Sequence, residues 1–147
     1  LNKNSYGDKI DQSARKFLKD INLDYPHGTG HGVGYFSNVH EGPQAISRGN
    51  KIAFKEGMIT SNEPGYYKKN HFGIRIENLV YVKKTKNKLK FEDLTLVPID
   101  KTLIVKKLLS SFEKDWLNKY HQRVFIHLKK FMNKFELTQL KQACSNI

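Results

Sequence analysis

Half of the ten glycines in this 147-residue chain fall within twenty residues, DYPHGTGHGVGYFSNVHEGP (residues 24–43), together with three of its six histidines. Such a stretch excludes a regular helix. Each interior glycine costs roughly 1 kcal/mol against alanine, and Pro26 lacks a backbone donor. The segment reads as extended or looping backbone that comes close to another group, with imidazoles turned toward it. His27 and His31 are four residues apart. On a helix that spacing would resemble a zinc-protease motif, but the glycines and the lack of a glutamate directly after His27 argue against it. In an extended segment residues four apart share a face, so both rings can line one cavity. A histidine satisfied within the core is the competing reading for His31.

The flanking sequence supplies the scaffold. Residues 8–21 place Ile10, Ala14, Phe17, Leu18 and Ile21 on one helical face, with Asp8 and Asp11 near the positive end of the helix dipole. GMITSNEPGYY (57–67) reads as a strand ending in a turn at Pro64-Gly65. FGIRIENLVYVKK (72–84) alternates, Ile74 and Ile76 facing one way and Arg75 and Glu77 the other; KLKFEDLTLVPI (88–99) is a further strand. Beyond residue 103 the period becomes helical. Ser110 and Glu113 have capping-box spacing, Phe112, Trp116, Leu117, Tyr120, Val124, Leu128 and Phe131 follow, and a short helix is expected over 136–144. His121 and His127 lie in these helices and are read as structural or exposed. With 38% hydrophobic residues the chain can build a core of one domain.

Glu63, in SNEPG, closes one strand and Glu77, in GIRIEN, lies inside another. A carboxylate in a buried strand is costly unless paired or bound to a metal. For Glu77 the plain alternative is an ion pair with Arg75. Taken with His31, the two carboxylates form an oxygen-rich donor set suited to manganese or another borderline-hard divalent ion. Bridging carboxylates also suit a two-metal centre that activates a water and polarises a carbonyl.

The formal net charge is +12. Residues 1–82 carry 11 basic and 8 acidic side chains, residues 83–147 carry 15 and 6. A basic tail of this kind fits nucleic acid or an anionic surface. Its lysines are dispersed between apolar positions, however, without clustered arginine, so a solvated lysine-rich face is expected and nucleic acid is not. The single cysteine, Cys144, excludes an internal disulfide and fits a reducing compartment. No apolar run has the length of a membrane span and no signal peptide is visible.

HGTGHGVGYFSNVHEGP, GMITSNEPGYY and FGIRIENLVYV, in that order, resemble the C-terminal half of the catalytic domain of aminopeptidase P, the Xaa-Pro aminopeptidases. These are pita-bread metallopeptidases, alongside methionine aminopeptidase, prolidase and creatinase. FEDLTLVPIDKTLI and WLNKYHQRV look like the C-terminal region of the same family, and the resemblance runs from about residue 8 to the C-terminus. It implies an α/β fold, with residues 1–102 as the C-terminal part of the pita-bread domain and residues 103–147 as its helical extension. It implies a dinuclear site, most simply of manganese, with His31, Glu63 and Glu77 as metal ligands. Glu63 would also handle the proton of the attacking water. His27 and His40 would hydrogen-bond substrate and tetrahedral intermediate, and Arg75 would orient the carboxylates. HEGP, with His27, favours aminopeptidase P over prolidase. The implied substrates are peptides with proline second and the implied location is cytoplasmic; no membrane partner is expected, and a homo-oligomer is compatible.

One departure is plain. The family's site also uses two aspartates from a strand pair upstream of the opening helix. Asp8, Asp11, Asp20 and Asp24 do not match that motif. The sequence, beginning at Leu1, therefore reads as a fragment, a split-gene product or one portion of a longer enzyme. By itself it is expected to be inactive and to need an upstream segment or chain. A non-catalytic remnant is the rival reading.

Overall fold

The computed structural model describes residues 5–36, 38–86 and 88–147; Ser37 of the histidine segment lies outside them. The described residues form two compact units, Leu1–Thr95 and Leu96–Ile147.

The first unit opens with helix α1 (Gly7–Lys19). It ends two residues before the expected boundary because Asn22 turns left-handed at φ 59°, a conformation asparagine tolerates, while the Leu23 N–H caps the Leu18 carbonyl. The expected apolar face is not the buried one. Gly7, Asp11 and Arg15 are buried, whereas Phe17 and Ile21 are exposed. The physical reason is that Asp11 and Arg15 satisfy each other and the loop after the helix, so this polar pair can enter the interior. Ile10 alone of the expected face packs on the core of Ile46, Phe54 and Val82.

Among the described residues seven short strands follow. β1 (Gly30–His31) pairs antiparallel with β2 (Ala45–Ile46). β3 (Ile59–Asn62), β6 (Asn78–Thr85) and β7 (Lys88–Asp93) make an antiparallel sheet in the order β3-β6-β7. β4 (Gly65–Lys68) and β5 (Phe72–Arg75) form a hairpin. The run expected as one strand over 72–84 is thus two. β5 answers to β4 and β6 to β3, and the joint falls at Ile76-Glu77. Glu77 consequently sits between strands, its side chain 45% exposed, and not inside a buried one.

In the second unit, helix α2 (Ser111–Leu128) begins at the expected capping box, in which Ser110 and Glu113 satisfy each other's backbone N–H. After a 3₁₀ turn (Lys129–Phe131) comes helix α3 (Lys134–Ala143), capped in the same way by Asn133 and Glu136. Tyr120, Val124, Leu140 and Cys144 form this unit's core, each fully buried apolar side chain contributing roughly 1.5–3 kcal/mol. His121 is completely buried. Its Nε2 accepts the Ile99 N–H at 3.0 Å, so the proton lies on Nδ1, which has no partner among the described residues. Burial, with Lys101 nearby, holds this imidazole below its usual range.

Candidate active site

The glycines of the histidine segment set how near its backbone lies to its neighbours. A Cβ on Gly30 would stand 1.9 Å from the Ser61 carbonyl oxygen, and one on Gly32 2.0 Å from that of Glu41. The glycines bring β1 against β3 and against the turn before β2. That closeness lets the Ser61 hydroxyl take the His31 N–H at 2.9 Å while donating to Glu63 Oε1 at 2.8 Å. The Thr60 hydroxyl donates to the His31 carbonyl at 2.8 Å. Glu63, 8% exposed, is anchored through its own N–H to the Thr29 carbonyl at 2.7 Å.

His31 Nδ1 lies 3.0 Å from the Gly32 carbonyl oxygen. A carbonyl only accepts, so Nδ1 carries the proton and Nε2 of the neutral ring presents a lone pair. That lone pair faces Glu63 Oε1 at 3.4 Å. Lone pair against carboxylate is unfavourable unless a proton or a cation stands between them, and a histidine held through Nδ1–H by a backbone carbonyl is the usual form of a metal-ligating imidazole.

From Glu63 the contacts continue. Its Oε2 pairs with Arg75 Nη1 at 3.1 Å, and the same nitrogen is 4.0 Å from Glu77 Oε2. Arg75 Nε donates to the Tyr67 hydroxyl at 2.8 Å, and that hydroxyl is 2.7 Å from His27 Nε2. On the other side the His40 ring lies 4.0 Å from the His31 ring. All six residues singled out from the sequence thus fall on one connected path, His40–His31–Glu63–Arg75, branching to Glu77 and, through Tyr67, to His27.

In kind, one imidazole lone pair with carboxylates fits a divalent ion. His31 and Glu63 face each other directly, while Glu77 stands beyond the Arg75 guanidinium. Among the described residues no three His, Cys, Asp or Glu side chains close on one point.

Beside His27 lies a cavity of about 600 Å³ lined by Asp24, Tyr25, Gly28, Ser47 and Arg48 among others. Arg15 also lines it, and belongs to an ionic network that sequence reasoning missed. Asp11, 2% exposed, takes Arg15 Nε at 2.8 Å and the Thr29 hydroxyl at 2.6 Å. Burial pushes the Asp11 carboxyl up, but the bonds from Arg15 and Thr29 outweigh it and hold the group below the usual carboxylate range. Asp24 is also held low, chiefly by its bond from Arg15. The i,i+4 spacing of Asp11 and Arg15 was the available signal. Tyr67 carried none beyond its place four residues after Glu63.

Family membership rests on the whole length. Residues 2–84 match metallopeptidase family M24 and residues 87–147 the C-terminal region of peptidase M24; the chain belongs to metallopeptidase family M24 and has its α/β pita-bread fold with C-terminal helices. It is similar to aminopeptidase P2 of Arabidopsis thaliana, 52% identical over 79% of this chain and 18% of the relative. It is also similar to the probable Xaa-Pro aminopeptidase P of Botryotinia fuckeliana, 46% identical over 92% of this chain and 22% of the relative. The chain therefore spans about a fifth of the length of these curated relatives. Among solved structures, the X-prolyl aminopeptidase of Caenorhabditis elegans, a cytosolic enzyme with a di-nuclear active site, superposes with a TM-score of 0.89. It is 39% identical, over 100% of this chain and 26% of that one. The prolidase of Pyrococcus furiosus gives 0.52 at 33% identity, over 62% of this chain and 26% of that one.

Proposed function

We propose that this chain is the metal-binding C-terminal part of an Xaa-Pro aminopeptidase, acting on peptides with proline second in a dinuclear, manganese-type site. The observation that carries the reading is the His31 Nε2 lone pair facing Glu63 Oε1 at 3.4 Å. In this reading His31, Glu63 and Glu77 hold the metal, which when bound supplies Lewis acidity to a water and to the scissile carbonyl. Glu63 accepts the proton of the attacking water. Arg75, between the two glutamates, neutralises and orients them. His27 and His40, on either side of the path, hydrogen-bond the substrate and the charge that develops on its carbonyl oxygen.

The same proposal divides the chain into a catalytic part, residues 1–102, and a helical extension, residues 103–147. It takes the two further aspartate ligands from outside these 147 residues. Asp11 and Asp24 are engaged by Arg15, and Asp8 by Gly49 and Gln12, which supports leaving them out of the ligand set. By itself the chain is then inactive and needs an upstream segment or partner chain. A cytoplasmic location is in keeping with the cytosolic relative; no helix among the described residues is long and apolar enough to cross a membrane. Nucleic acid has no place in the reading.

One observation favours a non-catalytic remnant instead: Glu77 is exposed and lies against the Arg75 guanidinium at 4.0 Å. Joining the chain to an upstream segment that supplies two aspartates decides between the readings. Manganese-stimulated release of the first residue from an Xaa-Pro peptide, abolished by Glu77→Gln, upholds the peptidase. A folded, metal-loaded joined protein without activity upholds the remnant.

A further inference from the structure

We propose that Arg15, twelve residues before His27 and on a different element, is a positioning residue that fixes the His27 ring. The inference rests on the reading of His27 as a substrate-side histidine, but its test does not depend on turnover.

The loop between α1 and β1 has no ladder to hold it. Arg15 supplies the missing restraints. Its side chain is 7% exposed, and its donors are spent in order along the loop. Nε goes to Asp11, Nη1 to the Asp24 carboxylate at 2.6 Å and the Tyr25 carbonyl at 2.8 Å, and Nη2 to the His27 carbonyl. The guanidinium lies 4.0 Å from the Tyr25 ring centroid, and that ring is 5.0 Å from the His27 ring. Asp11, held by Arg15, takes the Thr29 hydroxyl and N–H, so the loop is gripped again two residues past His27. One guanidinium thus sets the backbone on which His27 stands.

The ring direction follows. His27 Nδ1 lies 2.8 Å from the Gly28 carbonyl oxygen and must carry the proton. Nε2 is then an acceptor, so the Tyr67 hydroxyl donates to it while accepting from Arg75 Nε. Both ring nitrogens are matched only while the loop keeps its path. Lysine retains the charge at position 15 but has three donors on a point charge in place of five in a planar fork, and cannot serve Asp11, Asp24, Tyr25 and His27 together.

The experiment is long-range ¹H–¹⁵N spectroscopy of the histidine-labelled 147-residue chain at a pH where imidazole is neutral. Wild type is expected to show His27 as the Nδ1-protonated tautomer. In Arg15→Lys, with cooperative unfolding retained, the His27 signals are expected to move to a mixture of both tautomers while those of His121, in the other unit, stay. Unchanged His27 signals in a folded Arg15→Lys would overturn the proposal and leave Arg15 a purely structural residue. If Arg15→Lys does not fold, Asp24→Ala takes its place, since it removes a half-exposed partner and keeps the Asp11 pair. A shifted His27 tautomer there upholds the assignment and an unshifted one refutes it. Loss of the peptidase reading would show as an inactive joined protein with these spectra unaltered.

Discussion

His31 Nε2 and Glu63 Oε1 face each other at 3.4 Å, and both are tied to the same serine: the Ser61 hydroxyl accepts the His31 N–H and donates to Glu63. In a protein joined to its upstream aspartates, Glu63→Gln keeps the shape but removes the proton acceptor. It should lower kcat by about 10²–10⁴-fold, the range for a positioned general base. Steady-state kinetics with manganese affinity measured in parallel checks this; near-native kcat would remove Glu63 from proton handling.

The Asp11–Arg15 pair is buried on both sides. Asp11→Asn removes the more buried of the guanidinium's two charge partners, leaving Asp24, and should cost about 1.5–3 kcal/mol in urea unfolding at neutral pH. Because the folded Asp11 carboxyl is held below its usual value, its contribution is complete above the unfolded value of about 4 and is lost as pH falls through the lower folded value. The gap between wild type and variant should therefore close in that acid window.

His121 gives the second unit a titration of the same sign, but from a group that is buried neutral and not charged. Its imidazole is buried neutral with its ionisation held low, and protonating Nε2 would set a donor against the Ile99 N–H. Stability should be full above about pH 6.5 and be lost as pH falls from there toward the lower folded value. The fluorescence of Trp116, stacked on Tyr120, reports it. His121→Phe should remove this pH dependence while costing about 1–3 kcal/mol for the orphaned Ile99 N–H.

Gly30→Ala should destabilise by about 1–3 kcal/mol through overpacking, since the added carbon meets the Ser61 carbonyl. Gly42→Ala, where a Cβ meets nothing within 4 Å, is the control in the same thermal unfolding series.

What the sequence could convey depended on range. Ser110–Glu113 and the helical run from Trp116 to Val124 are local patterns, and both appear as read. The three ordered motifs around His31, Glu63 and Arg75 carried the family and supplied the residues of the proposed site. Two things were not legible. The split of 72–84 into β5 and β6 is decided by which distant strand each half pairs with, and no alternation of side chains encodes that. The inward face of α1 was misread because a hydrophobic pattern gives no weight to Asp11 and Arg15, which can be buried only as a pair with acceptors supplied by a loop beyond the helix.

His27 and His31 each give their Nδ1 proton to the carbonyl of the very next residue, Gly28 and Gly32. The choice between the two neutral imidazole forms is thus written in a dipeptide, His-Gly, used twice. The acceptor is local, while at His27 the Arg15 side chain keeps the loop on the path that presents it, so substitutions that spare that path can alter what the outward nitrogens meet without reversing their polarity.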